Sequence, residues 1–134
     1  MTWSIIARDS VSGQIGIAVA TKFFAVGARV PHIAAGFGGV ATQALVNCYY
    51  GIDGVKLLRE GKSPQEIIPM LLVGDSGRES RQLHILDAKG RIAAHTGKDC
   101  VDWCEGRLTA ASRDGRRRRA AANPRGMQAY AAGR

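Results

Sequence analysis

Residues 15–20 read IGIAVA, with Ile15, Ile17 and Val19 alternating with Gly16, Ala18 and Ala20. A period of two marks a β-strand. Neither face of this strand is polar, which predicts cover on both sides, one by large core residues and one by something packed close. That excludes a half-exposed meander and predicts a layered architecture. The preceding stretch, Thr2 to Arg8, is rich in β-branched and aromatic residues and predicts a partner strand. DSVSG, Asp9 to Gly13, is a run of turn formers, so the first strand and a second from Gln14 to Thr21 form a hairpin.

Two short strands are expected over Val30 to Gly36 and Gly39 to Ala44, around the glycine cluster GFGG. Tyr49 to Glu60 carries Ile52, Val55 and Leu58 at helical spacing, with Gly61 as a stop. Ser63, Pro64 and Glu66 then form a helix start of cap, first-turn proline and capping-box acid. GDSGRES is a loop, and Gln82 to Leu86, DAKG and Arg91 to Thr96 give a second hairpin. This order predicts an α+β fold, with helices layered on a mostly antiparallel sheet.

A length of 134 residues suits one domain. The net charge of +8 is unevenly spread. Residues 107–134 hold eight arginines against Asp114, a charge of +7, which leaves residues 1–106 at +1. The domain is therefore expected over residues 1–105, followed by an Arg/Ala-rich tail over 106–134 that reads as disordered. The stretch Arg113 to Arg119, with four consecutive arginines, offers salt-sensitive, sequence-blind attraction to nucleic acid. Without aromatic interleaving apart from Tyr130, specific nucleic-acid recognition is not expected. Cys48, Cys100 and Cys104 have neither a disulfide framework nor zinc spacing, and read as reduced thiols. The apolar amino-terminal stretch is short and broken by Arg8 and Asp9, unlike a secretory leader. The weakly polar run Ile33 to Val46 falls short of a membrane span. A soluble cytoplasmic protein is expected.

Thr2 directly follows Met1. It is either a β-branched strand residue or, once Met1 is removed, a reactive amino terminus. A free α-amine has a pKa of about 7.7–8.0 and is partly neutral at neutral pH. Such an amine can take the proton of its own residue's hydroxyl, so base and nucleophile share one residue. Lys22 ends the second strand, where a hairpin returns it toward Thr2. Its ammonium would disfavour protonation of the neighbouring amine, unless it is plain solvated surface. Thr42, Gln43 and Asn47 form a polar set among small apolar residues, and either stitch a loop or face a pocket. Arg78, Glu79 and Arg81 offer an arginine fork for a substrate carboxylate, or an ordinary solvated ion pair. His32, His84 and His95 are scattered and read as strand surface.

Taken in order, TWSIIARD, GIAVATKFFAVGARVP, ATQALVNCYYG, GRESRQLHILDAKGRIAAHTG and CVDW resemble the DUF1028 family over about residues 2–104. That family is similar in turn to the amino-terminal-nucleophile hydrolases. The resemblance implies a four-layer α-β-β-α sandwich and an amidohydrolase-like site opened by Thr2, with no metal or organic cofactor. Lys22 falls in the family's K-F-F-A-V-G block, Gln43 and Asn47 in its A-T-Q and Asn blocks, and Arg78, Glu79 and Arg81 in its G-R-E-x-R-Q-L block. The expected roles are Thr2 and Lys22 in catalysis, and Gln43, Asn47, Arg78, Glu79 and Arg81 in binding a small-molecule substrate. The backbone of Gly38 and Gly39 is expected to hold the oxyanion. Past Cys104 the likeness stops, and the arginine-rich ending looks like a reading-frame slip. Lost strands would leave sheet edges unpaired, so a homo-oligomer is expected. The alternatives are an inactive, oligomerising scaffold of the same fold, or non-specific nucleic-acid binding through the tail.

Overall fold

A computed structural model describes residues 2–101, 104–111 and 127–133, the last two stretches as backbone. The order is β1 (Thr2–Arg8), β2 (Ile15–Thr21), β3 (Pro31–Ala34), β4 (Gly38–Ala44), α1 (Cys48–Arg59), α2 (Pro64–Leu72), β5 (Arg81–Asp87), β6 (Ile92–Thr96), β7 (Glu105–Ala111) and β8 (Met127–Gly133). The first hairpin closes through Asp9, whose carboxylate accepts from the amides of Val11 and Ser12 and from the Ser12 hydroxyl. Helix α2 begins as its sequence predicts. The Ser63 hydroxyl accepts from the Glu66 amide, and the Glu66 carboxylate accepts from the Ser63 amide at 2.7 Å. The helix continues past Pro69 to Leu72.

The strands form two four-stranded sheets, ordered β2-β1-β8-β7 and β3-β4-β5-β6. The second sheet is antiparallel throughout. Its outer face carries α1 and α2 over a core of Val40, Tyr50, Leu58, Ile67, Ile68, Leu83 and Ile85. Its inner face packs on the first sheet through Ile6, Val30, Ala41 and Leu86, with Ile15, Ile17 and Val19 against them. Strand alternation makes this sorting automatic: Val40 faces the helices and Ala41 the other sheet. The fold is mixed α+β, with helices, sheet and sheet as the layers among the described residues.

Three expectations change here. Gly16 and Ala18 of β2 are exposed, so only the face of Ile15, Ile17 and Val19 is covered among the described residues. The other face presents so little apolar area that leaving it open costs little. The ending expected to lack structure contributes β7 and β8, and the rest of it, including Arg113 to Arg119, lies outside the described residues. Strand β8 runs parallel to both β1 and β7, so this sheet is mixed and not mostly antiparallel. Hydrogen bonding to the free edge of β1 uses backbone groups alone, which an Ala/Gly-rich segment supplies without help from its side chains. Among the described residues no helix is long and apolar enough to cross a membrane.

Candidate active site

The register Thr2↔Thr21 and Ser4↔Val19 sets which side chains of the hairpin share a face. Thr2, Ser4 and Ile6 line the side toward the second sheet, as do Thr21, Val19 and Ile17. The layer between the sheets is apolar at Ile6 and turns polar toward Thr2. There the Ser4 hydroxyl donates to Gln43 Oε1 at 2.7 Å. Gln43 Nε2 donates to Gln82 Oε1 at 3.1 Å and to the Thr2 carbonyl at 3.4 Å. Gln82 Nε2 passes the chain on to Thr96 Oγ1 at 3.3 Å. Ser4, Gln43 and Gln82 are all buried. An unpaired amide in that setting costs about 1–3 kcal/mol, so the row is tolerable only because it is closed. Its consequence is positional: the backbone of Thr2 is held from beneath.

Above this row lies a cavity of about 420 Å³. Thr2 and Thr21 stand in its wall with Phe23, Phe24, Val30 and Leu45, and its charged members are Arg29 and Arg81. The Thr2 and Thr21 hydroxyls are 2.9 Å apart. Arg81 is held from behind by Asp75, which accepts from Nε and, at 3.1 Å, from Nη2. Nη1 donates to the Leu45 carbonyl. The same carboxylate accepts from the Tyr50 hydroxyl at 2.6 Å, the Asn47 amide at 3.2 Å and the Gly77 backbone at 2.8 Å. These donors, Arg81 foremost, hold the Asp75 carboxyl far below the usual carboxylate range. Burial, then the Asp75 contact, pushes the Tyr50 phenol up and keeps it protonated. Asp75 in turn raises the Arg81 guanidinium. A larger cavity, about 490 Å³, lies between α1 and α2, with Asn47, Tyr50 and Asp75 in its wall. The Asp75–Arg81 pair thus lies between the two cavities.

Of the residues singled out from sequence, the structure brings together Thr2, Gln43 and Arg81. Lys22 is exposed and outside the cavity wall. Thr21 is the register partner of Thr2, so alternation turns the next side chain to the opposite face. Gln43 reaches Thr2 through the backbone and does not line the cavity. Asn47 stitches: its side chain caps α1 by accepting from the Tyr49 amide, and its carbonyl accepts from Thr42 Oγ1. Arg78 and Glu79 pair with each other at 3.4 Å on the surface, and Glu79 accepts from the Lys98 amide, which lowers its carboxyl. His84 is fully buried between the sheets, against the expectation of strand surface, because β5 is a central strand covered on both faces.

Gly38 and Gly39 lie at the end of β4 away from Gln43, paired with β3 and β5, so they do not reach Thr2. Packing explains them. A Cβ on Gly39 would meet Ile17 Cδ1 at 3.1 Å, and one on Gly38, at φ +153°, would meet the Leu86 carbonyl at 2.5 Å. Gly38→Ala is therefore expected to cost about 2 kcal/mol of stability, from overpacking and an unfavourable φ. A fall in the urea midpoint at unchanged m-value would report it, and an unchanged midpoint would contradict the packing role.

Thr21, Arg29, Ser4, Tyr50 and Asp75 join the site without having been singled out from the sequence. Strand register would have found Thr21 and Ser4. Asp75 carried a weaker signal, an acid six residues before Arg81 in a glycine-bounded loop.

The model of the "Family of unknown function (DUF1028)" matches residues 2–116. The chain belongs to DUF1028. The match runs beyond Cys104, where the likeness was expected to stop, into β7. Among solved structures, the DUF1028 chain is similar to protein SPO2555 from Silicibacter pomeroyi, whose crystal structure superposes with a TM-score of 0.72 at 36% identity. The alignment covers 76% of this chain and 48% of that one, so the DUF1028 chain described here spans about half of that relative. No curated protein matches it.

Proposed function

We propose that this DUF1028 chain is an amidohydrolase of the amino-terminal-nucleophile type, with Thr2 as the nucleophile. The observation that carries the reading is the Thr2 hydroxyl in the wall of a cavity that also holds two arginines. On this reading the sheets and helices belong to an α-β-β-α sandwich. Removal of Met1 frees the Thr2 α-amine. The amine accepts the Oγ proton as Oγ bonds to the substrate carbonyl carbon, and then delivers that proton to the departing nitrogen as the C–N bond breaks. Water, deprotonated by the same amine, hydrolyses the resulting ester and restores the hydroxyl. The Thr21 hydroxyl orients Thr2 Oγ, and the Gln43 amide fixes the strand that carries it. Lys22 has no part in these steps. The positive charge that disfavours amine protonation comes instead from Arg29, in the cavity wall.

The experiment compares the chain with Thr2 exposed against the same chain with Met1 retained, on acyl p-nitroanilides carrying neutral and acidic acyl groups. Hydrolysis is expected from the exposed form alone. Its kcat/KM should rise with pH around a midpoint of about 7.7–8.0 or lower, as the amine loses its proton. Equal rates from the two forms would overturn the reading.

A further inference from the structure

We propose that the cavity beside Thr2 takes a small anionic amide, one bearing an apolar group and a free carboxylate, with Arg29 and Arg81 receiving the carboxylate. This rests on the reading of Thr2 as nucleophile and names the substrate class of that site. The volume of about 420 Å³ lies within the range of small-molecule sites, about 300–1,000 Å³. The walls given by Phe23, Phe24, Val26, Val30, Leu45 and Val46 are apolar, and among the described residues no carboxylate shares them. An apolar group on the ligand is therefore favoured there, and a cationic group finds no partner.

The two arginines are prepared differently. Arg81 has five N–H donors, of which Asp75 takes two and the Leu45 carbonyl one. The Tyr50 hydroxyl also lies against this guanidinium, so at most one N–H on each terminal nitrogen is left, in a group whose orientation is already fixed. A fixed fork loses little entropy when it binds a planar carboxylate. Its charge, however, is largely balanced by Asp75. Arg29 supplies the charge: it is exposed, and among the described residues it makes no ion pair. Orientation thus comes from one arginine and net charge from the other. A single uncompensated positive charge matches one carboxylate better than a phosphate dianion.

The test is calorimetric titration of the full chain carrying Thr2→Ala, with phenylacetate, phenylacetamide and inorganic phosphate as probes. Phenylacetate is expected to bind about ten-fold more tightly than phenylacetamide, as charge-assisted hydrogen bonds outrank neutral ones. Phosphate should bind no more tightly than phenylacetate. Arg29→Gln, a surface change that leaves the Asp75 cluster intact, should weaken phenylacetate about ten-fold and leave phenylacetamide unchanged. Equal affinity for the acid and its amide, tighter binding of phosphate, no binding of phenylacetate, or indifference to Arg29→Gln would each overturn the proposal. Because Thr2 is absent from the titrated protein, the outcome is independent of whether Thr2 is a nucleophile. Conversely, hydrolysis with no preference for acidic substrates would remove the carboxylate assignment and keep the nucleophile.

Discussion

Thr2→Ala is expected to lower amide turnover by about 10⁶-fold, the scale on which a serine hydrolase loses activity without its nucleophile. The substitution keeps a small residue after Met1, so the removal of Met1 proposed above is expected to persist while the hydroxyl and the γ-methyl are lost. Stability should fall by only about 1 kcal/mol, the worth of the hydrogen bond to Thr21. Thr2→Ser retains a hydroxyl in the same place and is expected to recover a large part of the rate. The comparison separates chemistry from folding. Steady-state kinetics with thermal melts on the three proteins read both. Turnover by Thr2→Ala at the parent rate would show that some other group performs the reaction.

Asp75→Ala is expected to cost about 3 kcal/mol, the range for breaking a covered ion pair by deleting one partner. One carboxylate accepts from Arg81, Tyr50, Asn47 and the Gly77 backbone, so its removal leaves several donors without their shared acceptor at once. The Asp75 side chain is 12% exposed and that of Arg81 20%. This places the pair well apart from surface bridges worth about 0–1 kcal/mol. The pH dependence has a definite sign. The folded-state pKa of Asp75 is lowered, so the unfolded chain binds the extra proton first as acid is added. The contribution of the ionised group is complete above the ordinary carboxylate range and is lost as pH falls toward the lowered value. Urea midpoints should therefore decline in acid for the parent chain and decline less for Asp75→Asn. Matching acid limbs for the two proteins would contradict the role given to this carboxylate.

How much of this was legible in the sequence follows from the range of each interaction. The β1–β2 hairpin and the Ser63–Glu66 start of α2 depend on neighbours a few residues away, and both stand as read. Lys22 was drawn to Thr2 by hairpin proximity and by its place in the K-F-F-A-V-G block. Register decides such cases, since a shift of one residue exchanges the faces of a strand. With Thr2 opposite Thr21, the hydroxyl and not the ammonium becomes the neighbour. Gly38 and Gly39 were read as holding an oxyanion, and only tertiary contacts, such as that of Gly39 with Ile17, give them their packing role. Asp75 was passed over inside a loop, and Arg81 was read as a substrate anchor or a solvated pair, because the cluster that holds them is completed by Tyr50 and Asn47, distant in the chain. The same applies to Gln43, whose partners Ser4 and Gln82 lie on two other strands. Arg78 and Glu79 were singled out beside Arg81, yet only the last has an apolar wall to work against.

The most direct measurement of the central claim is peptide mapping by mass spectrometry after treatment of the folded chain with a β-lactone electrophile. Loss of Met1 and a single acyl adduct on the hydroxyl of Thr2 are expected, the adduct absent from Thr2→Ala and slowed by phenylacetate in the cavity. A chain that keeps Met1, or an adduct that forms elsewhere while Thr2 stays unmodified, would contradict it.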